Sequence, residues 1–306
     1  MNVSVPVGTG SSSQKATDTL RVVTYRPVRP TFDTPTLVRR DDVALQVWGD
    51  EESGEVADAI YISNEKIHLM VFTMPPGGGF THSAEFRTVF DADEFYYVLS
   101  GELVLNNPET GEVHVARTGE AVFFRGDTWH HGFTRGLEPV RILEFIAPGP
   151  LSENTQPYAR TKPNVTEPKT VVPEWLGRWP MERAAARAAA TMDVVGERDI
   201  LWQLDGDERV LVGVHVSTER MTVGTIYLHP GQRSALQLHK GDKCVFMFDG
   251  EAGVRLPENE GQTWFELQPE DGLYIPQGTP HRYHNFSGRP ATLFFIVGPP
   301  DASPAS

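Results

Sequence analysis

The chain repeats itself once over its 306 residues. Residues 91–101 (DADEFYYVLSG) correspond to residues 240–250 (KGDKCVFMFDG), and DTWHHGF around His130 corresponds to GTPHRYHNF around His281. Residues 144–150 (EFIAPGP) correspond to residues 294–300 (FFIVGPP), so the three pairs keep an offset of 149 to 151 residues. A period this long exceeds the unit length of solenoid repeats, which is tens of residues. The repeat therefore predicts two similar domains in tandem.

Both halves have the pattern of an all-β domain. Short β-branched and aromatic segments such as KIHLMVFTM, EFYYVLSGELVLNN and ATLFFIVG are bounded by Gly, Pro or Asn, and the 28 Gly and 24 Pro indicate many turns. The single helix signal is PMERAAARAAATM at 180–192, which begins at a proline and is rich in alanine. We predict a tail (1–19), a first domain (20–150, with a lead-in strand or two before residue 62), a Pro-rich linker with the helix (151–195), a second domain (196–300) and a short tail (301–306).

Charge and composition exclude several classes of protein. Acidic residues outnumber basic ones by 41 to 27, which argues against nucleic acid and anionic membranes as partners. No apolar run is long enough to span a bilayer, and the first residues lack the pattern of a secretory signal. Cys244 is the single cysteine, so no internal disulfide forms. We expect a cytoplasmic protein that acts on a small molecule.

Two motifs carry a resemblance to a known family. The segments PGQRSALQLHKGDKCVFMFDG and PEDGLYIPQGTPHRYHN resemble the cupin signature G(X)5HXH(X)3,4E(X)6G followed by G(X)5PXG(X)2H(X)3N. In the second copy Pro276, Gly278, His281 and Asn285 match, while Gln237, His239 and Lys243 stand at the two histidine positions and the glutamate position. In the first copy Glu94, Gly101, Gly119 and His130 match, while Arg125 and Asp127 replace the proline and glycine.

The resemblance covers roughly residues 65–150 and 210–300 and implies a bicupin. The fold it implies is two tandem double-stranded β-helix (jelly-roll) barrels with one short linker helix. It also implies a divalent transition metal (Fe, Mn, Ni, Cu or Zn) held by histidines and a glutamate, and a homodimer.

The first copy holds the candidate metal ligands. His82, Glu94 and His130 supply the imidazole nitrogens and carboxylate oxygen that suit transition metals, and such a set leaves open positions for substrate and O2. His82 is off the motif register but is the only histidine in its stretch, with Glu85 as the alternative. Tyr96 has the strand phase of Glu94 and either brings a phenol into the pocket or packs in the core. We predict Glu94 and Tyr96 as catalytic residues.

The second copy departs from the pattern of a metal site. Gln237 and Lys243 are poor ligands, so His239, Lys243 and His281 form at most a possible second pocket, either structural or built to hold an anion such as a carboxylate. We favour the structural interpretation. Asp242 has outward strand phase and is predicted to be a surface acid. Cys244 is predicted to pack in the interior.

These residues predict a metal-dependent bicupin enzyme that acts on a small oxygen-bearing organic molecule. A dioxygenase-type oxidoreductase is the first choice, because the predicted ligand set leaves coordination positions open. Isomerases, decarboxylases and lyases use the same ligands. A non-enzymatic binding or storage protein is the hypothesis from a different class.

Overall fold

The computed structural model describes residues 29–81, 89–149, 165–170 and 181–300. The described chain is almost entirely β, as predicted, with one α-helix, α1 (Met181–Ala188), and 3-10 turns at Arg40–Asp42 and Glu197–Asp199. The first eleven strands are β1 (Thr36–Val38), β2 (Ala44–Asp50), β3 (Gly54–Ser63), β4 (His68–Met74), β5 (Gly79–Phe80), β6 (Asp93–Ser100), β7 (Glu102–Asn106), β8 (Val113–Arg117), β9 (Ala121–Phe124), β10 (His131–Thr134) and β11 (Val140–Ala147). The others are β12 (Met192–Val195), β13 (Leu201–Asp205), β14 (Val210–Ser217), β15 (Thr222–Leu228), β16 (Gly241–Asp249), β17 (Ala252–Arg255), β18 (Trp264–Leu267), β19 (Gly272–Ile275), β20 (Arg282–His284) and β21 (Ala291–Pro300).

Each half of the chain forms a large sheet and a small one. In the first half the seven-stranded sheet has the order β12-β9-β6-β11-β4-β3-β2, and the small sheet has the order β5-β10-β7-β8. In the second half the orders are β1-β19-β16-β21-β15-β14-β13 and β18-β17-β20. All pairings are antiparallel. The equivalent strands β6 and β16 lie near the middle of their sheets, as the repeat requires.

The two large sheets exchange their outermost strands. Strand β1 precedes the first barrel in sequence but pairs with β19 of the second, with Leu37 opposite Leu273. Strand β12 lies in the predicted linker but pairs with β9 of the first barrel, with Val194 opposite Val122. The segment that leads into each barrel therefore completes the sheet of the other one.

Three large apolar clusters account for most of the packing among the described residues. One fills the first barrel (including Phe72, Val98 and Ile142) and another fills the second (including Val245, Leu273 and Leu293). The third lies between the large sheets, where Phe95, Phe145, Phe246 and others from both halves meet. Because side chains alternate along a strand, one face of each large sheet lines its own barrel and the other packs against the neighbouring barrel.

Several predictions fall beyond the part of the chain that is described. The tails at 1–19 and 301–306, most of the linker, His82 and Glu85 lie outside the described residues. Within the described residues, no helix is both long and apolar enough to cross a membrane.

Candidate active site

Strand β6 directs two of the predicted site residues into the first barrel. Glu94 and Tyr96 are both buried and face inward, while Phe95 and Tyr97 between and beside them join the contact with the second barrel. The alternation follows from the pleat, which sends successive side chains to opposite faces. Tyr96 therefore faces the interior of the first barrel, as its strand phase in the sequence predicts.

A tight turn presents His130 to the same space. Asp127, which stands where the cupin motif has glycine, has φ of 63°. Aspartate is one of the few non-glycine residues that enter this left-handed region readily. Nδ1 of His130 lies 3.0 Å from the carbonyl oxygen of Thr128. Since a carbonyl only accepts, Nδ1 carries the proton and Nε2 of a neutral ring presents its lone pair to the barrel interior.

The hydroxyl of Tyr96 joins the two predicted ligands. Its oxygen lies 3.1 Å from Oε2 of Glu94, to which it donates, and 3.2 Å from Nε2 of His130. The carboxylate oxygen and the imidazole nitrogen are 3.9 Å apart. Both side chains are almost completely shielded from solvent. Three groups able to exchange protons thus meet in a dry interior.

Two of the three predicted metal ligands suit a transition metal. Glu94 and His130 offer one oxygen and one nitrogen to a shared point, and a ligating histidine typically donates its other nitrogen to a backbone carbonyl, as His130 does. His82, the predicted third ligand, lies outside the described residues. Among the described residues no three His, Cys, Asp or Glu side chains form a cluster that could hold a metal ion. The donor chemistry fits as far as it is described.

Two further acids line this barrel and were not predicted from the sequence. Glu144, on β11, is opposite Tyr96 on β6, and Asp58, on β3, accepts a hydrogen bond of 2.9 Å from Nε2 of Gln46. Both acids are buried, and Oε2 of Glu144 has no hydrogen-bond partner among the described groups. The only sequence signal for either acid is an acidic residue at an inward position of an otherwise apolar strand.

Burial keeps these carboxyl groups protonated at higher pH than usual. The pKa of Glu94 is raised well above its ordinary value, chiefly by loss of hydration and then by the charge of Glu144. The pKa of Glu144 is also raised, by burial and by the charge of Asp58. Burial raises the pKa of Asp58 to about 7. The pKa of Tyr96 is raised for the same reason. In the absence of a cation, the interior favours neutral acids.

Aromatic rings surround the three groups. Phe124 packs against the ring of His130 with centroids 4.4 Å apart, and Phe80 contacts the same ring edge-on at 5.9 Å. Phe72 packs edge-on against Tyr96 at 5.3 Å. These rings fix the orientation of the imidazole and the phenol and exclude water from one side of the site.

The second barrel holds an equivalent set with different chemistry. Lys243 is almost fully buried, and its Nζ donates a hydrogen bond of 2.9 Å to Oε1 of Gln237 and lies 3.2 Å from Nε2 of His239. The ammonium position is over the rings of Tyr283 (5.0 Å) and Phe295 (4.7 Å). Burial lowers the pKa of Lys243 to about 7. The three residues of the possible second pocket therefore do converge, since His281 lies beside His239 with ring centroids 5.5 Å apart.

His281 repeats the geometry of His130 at the distance of one repeat. Its Nδ1 lies 2.9 Å from the carbonyl oxygen of Thr279, so Nε2 presents its lone pair to the barrel. This Nε2 and the hydroxyl of Tyr283 are buried and have no hydrogen-bond partner among the described residues. Burial lowers the pKa of His281 to about 3 and, to a smaller extent, that of His239 to about 4, with the charge of Lys243 acting in the same direction.

The neighbours of Lys243 differ in how well they were predicted. Cys244 is buried in the cluster between the sheets, as predicted. The prediction of Asp242 as a surface acid is wrong, because its side chain is buried at the contact between the barrels. It accepts hydrogen bonds from the hydroxyl of Tyr274 (2.6 Å) and the amide of Gln277 (3.1 Å). Outward phase here points to the other barrel and not to solvent.

A separate cleft of about 520 Å³ lies on the outer face of the first large sheet, where the two halves meet. Arg40, Arg141 and Glu270 lie along it, beside Leu45 and Tyr61. Neither Glu94 nor His130 lines this cleft, so it is distinct from the candidate active site.

The two barrels place equivalent residues in their interiors, on strands β6 and β16 and at His130 and His281. They define a protein with two cupin domains. The family described as "Cupin domain" matches this sequence twice, at residues 70–146 and 224–297. The chain belongs to the cupin family. No curated protein matches it by sequence.

Solved structures share the whole two-barrel arrangement. A protein of Pseudomonas aeruginosa described as glyoxylate-induced aligns with a TM-score of 0.62 at 14% identity, covering 92% of this chain and 94% of that one. Protein Ylba of E. coli aligns with a TM-score of 0.60 at 10% identity, covering 92% and 97%. Oxalate decarboxylase of Lactobacillus farciminis aligns with a TM-score of 0.58 at 13% identity, covering 91% and 90%. At these identities the likeness is one of fold.

Proposed function

We propose that the first barrel is the catalytic site of a metal-dependent enzyme that acts on a small oxygen-bearing organic molecule. His82, Glu94 and His130 would hold one divalent transition metal, one of Fe, Mn, Ni, Cu or Zn. The observation that supports this is the buried contact in which Nε2 of His130 and Oε2 of Glu94 face one another across the hydroxyl of Tyr96. When bound, such a metal polarises an oxygen of the substrate.

The side chains divide the remaining work. Thr128 fixes the tautomer of His130 through its carbonyl oxygen, so that Nε2 is available as a ligand. The hydroxyl of Tyr96 holds a proton within reach of both ligand atoms and is the group placed to give it to, or take it from, a substrate oxygen. Phe72 and Phe124 keep water from that hydroxyl.

The first candidate reaction is a dioxygenation, because a set of two histidines and one carboxylate leaves positions open for substrate and O2. A second candidate class, the isomerases, decarboxylases and lyases, is favoured by a specific observation. Tyr96 and Glu144, whose pKa values burial raises, give this barrel two groups beside the ligand atoms that can carry protons, which suits a reaction that moves protons. The oxalate decarboxylases among the solved relatives support the fold of such a site and not its reaction.

A non-enzymatic binding or storage protein is the alternative from a different class. The observation that favours it is the aromatic packing of Phe72, Phe80 and Phe124 around Tyr96 and His130, which occupies part of the barrel interior. Under this alternative the purified protein would carry no stoichiometric metal.

Elemental analysis tests the proposal directly. We expect about one divalent transition metal per chain in the wild-type protein expressed in metal-supplemented medium, and loss of that metal in His130→Ala. His131→Ala is the matched control, since His131 is the next residue and has the opposite strand phase; it should keep the metal. Wild-type protein without metal, or equal metal in both variants, would overturn the proposal.

The identity of the third ligand needs its own pair of variants. His82→Ala should lose the metal and Glu85→Gln should keep it if His82 is the ligand, and the reverse pattern would assign Glu85. The reaction class can be tested with an oxygen electrode on the metal-loaded protein and a panel of small diols, diketones and dicarboxylates. Consumption of O2 in step with substrate supports the dioxygenase, and substrate loss without O2 uptake supports the second class.

Two predictions about the cellular form of the protein accompany this proposal. We propose a homodimer, which light scattering on the eluting protein would test. We also propose a cytoplasmic location, which fractionation of the source cells would test.

A further inference from the structure

The second barrel encloses the amine of Lys243 among neutral groups, with no carboxylate of the described residues in direct contact with it. Lys243 is buried to about 99%, and both its hydrogen-bond partners, the amide oxygen of Gln237 and Nε2 of His239, are neutral groups. Two aromatic rings, those of Tyr283 and Phe295, lie within 5.0 Å of its nitrogen. A purely structural residue at this position would be apolar, since burying an amine without a carboxylate costs free energy.

We propose that Lys243 forms an imine with a small aldehyde or ketone, which makes the second barrel a carbonyl-binding site separate from the candidate metal site. In this reaction the nitrogen of Lys243 attacks the carbonyl carbon, the carbonyl oxygen gains a proton, and the carbon–oxygen bond then breaks to release one water. The nitrogen gives up both its protons, and no electrons are exchanged. The product is a carbon–nitrogen double bond to the side chain.

The environment supplies the form of the amine that can attack. Only the neutral amine is a nucleophile, and a lysine in water at neutral pH is almost entirely protonated. Desolvation between the rings lowers the pKa of Lys243 to about 7, so about half of the amines are neutral near pH 7. The charge of Asp205, whose carboxylate accepts a hydrogen bond of 3.0 Å from Nε2 of Gln237, acts in the opposite direction and raises the pKa of Lys243.

Two buried groups are placed beside the reacting atoms. Nε2 of His281 has its lone pair toward the barrel and no partner among the described residues, so it can accept a hydrogen bond from the attacking amine and orient it. The hydroxyl of Tyr283, also unpartnered there, can donate to the oxygen that leaves as water. Their rings are 5.5 Å apart, so both groups border one small space. A bare imidazole nitrogen and a free phenol supply a hydrogen-bond acceptor for the amine and a donor for the carbonyl oxygen.

The site lies close to the surface and is poorly suited to other ligands. Gln237 and His239 are only half-buried, so the amine lies one side chain below the surface. A carboxylate ligand would need the charged ammonium form, which burial disfavours, and a metal would need ligands better than an amide and a lysine. A small neutral carbonyl compound fits the donor set without a change of charge.

Reductive trapping tests the proposal. The full-length protein is incubated at pH 7 with propanal and sodium cyanoborohydride, and peptide mapping by mass spectrometry follows addition of a propyl group at each lysine. Lys240, three residues away and exposed, is the internal control. Since an ordinary lysine is neutral in roughly one molecule in a few thousand at this pH, Lys243 should react on the order of 100-fold faster or more. The labelling rate of Lys243 should level off above pH 7.

Variants separate the proposal from its alternatives. Lys243→Met should abolish the labelling at position 243 and leave that of Lys240 unchanged. His281→Gln should slow the labelling of Lys243 on the order of 10-fold, because the amine loses a hydrogen-bond acceptor. Labelling of Lys243 no faster than that of Lys240 in the native protein, with both labelled equally after denaturation, would overturn the proposal. So would stoichiometric metal in the second barrel of His130→Ala. The labelling result does not bear on the metal site of the first barrel, which the elemental analysis tests by itself.

Discussion

Asp93 and Asp242 occupy the same position in the two copies of the repeat, and each accepts a hydrogen bond from the opposite barrel. Oδ2 of Asp93 accepts from Oγ1 of Thr218 at 2.8 Å, in the hairpin between β14 and β15. Oδ2 of Asp242 accepts from Nδ2 of Asn64 at 3.2 Å, in the hairpin between β3 and β4, and its Oδ1 pairs with Lys66 at 3.3 Å. The contact between the barrels is therefore repeated about an approximate two-fold axis, and buried acids are part of it.

Replacing one of these acids should weaken the whole chain. Asp242→Asn keeps the shape but turns one acceptor into a donor that faces the hydroxyl of Tyr274. We expect the free energy of unfolding to fall by about 2 kcal/mol, because hydrogen bonds to a charged group contribute about 1.5–3 kcal/mol. Urea unfolding followed by fluorescence measures it. Asp249→Asn on the same strand is exposed and should change the free energy by less than about 0.5 kcal/mol.

Removing the charge of Glu144 should stabilise the protein as pH rises. Its pKa is raised by burial, so the folded chain holds a proton that the unfolded chain loses above pH 4.5. The unfolded state then binds fewer protons, and stability falls with rising pH from that point. Glu144→Gln lacks this loss. In chelator-treated protein we expect equal stability near pH 4 and an advantage for the variant that grows as the pH rises toward 7.

The control for Glu144 is Glu55→Gln, an exposed residue of strand β3. Both variants are compared with the wild-type protein by urea unfolding across pH 4 to 8. A difference that does not grow with pH would contradict the assignment of Glu144 as a protonated interior acid.

Lys243 should produce the opposite dependence on pH. Its folded pKa of about 7 lies below the ordinary value of 10.5, so between these two values the unfolded state binds more protons. Stability therefore rises with pH across that window, by at most about 1.4 kcal/mol per unit. Lys243→Met, of similar volume, removes the dependence and should be more stable than wild type at pH 7, with the difference shrinking toward pH 10. Lys240→Met is the exposed control, and an unchanged slope in Lys243→Met would refute the assignment.

The fold could be predicted because short segments of the sequence encode the strands and turns of the motif. The two-barrel architecture follows from the repeat and from strand patterns bounded by turns. The backbone keeps a positive φ even where another residue replaces a motif glycine. Asp127 has φ of 63° and its counterpart Gly278 has 70°, while Glu270 has 68° and its counterpart Gly119 has 90°. The sequence does not show the exchange of β1 and β12, because strand pairing between distant segments leaves no local signal.

The site was predictable only in part. Tyr96 could be placed toward the interior from its phase, and His130 from the motif. Glu144 was missed because an acid in a strand is ordinarily solvated, and only the surrounding barrel shows that this one is buried. The phase of Asp242 was correct, but phase gives the face of a sheet and not what covers that face. The other barrel covers the face on which Asp242 lies, and the sequence of a single strand does not show this contact.

The differences between the copies can be tested by restoring the motif. Gln237 and Lys243 contact each other at 2.9 Å and both border His239, so the positions of a complete ligand set are already adjacent. The double variant Gln237→His with Lys243→Glu, made in the His130→Ala background, should bind about one divalent metal per chain, since three imidazoles and one carboxylate then face the same point. Isothermal titration with Zn²⁺ measures the binding. Lys243→Met in the same background keeps His239 and His281 without the acid and should bind at least about 100-fold more weakly. Equal affinity in the two variants would mean that the second barrel no longer holds the geometry that its backbone shares with the first.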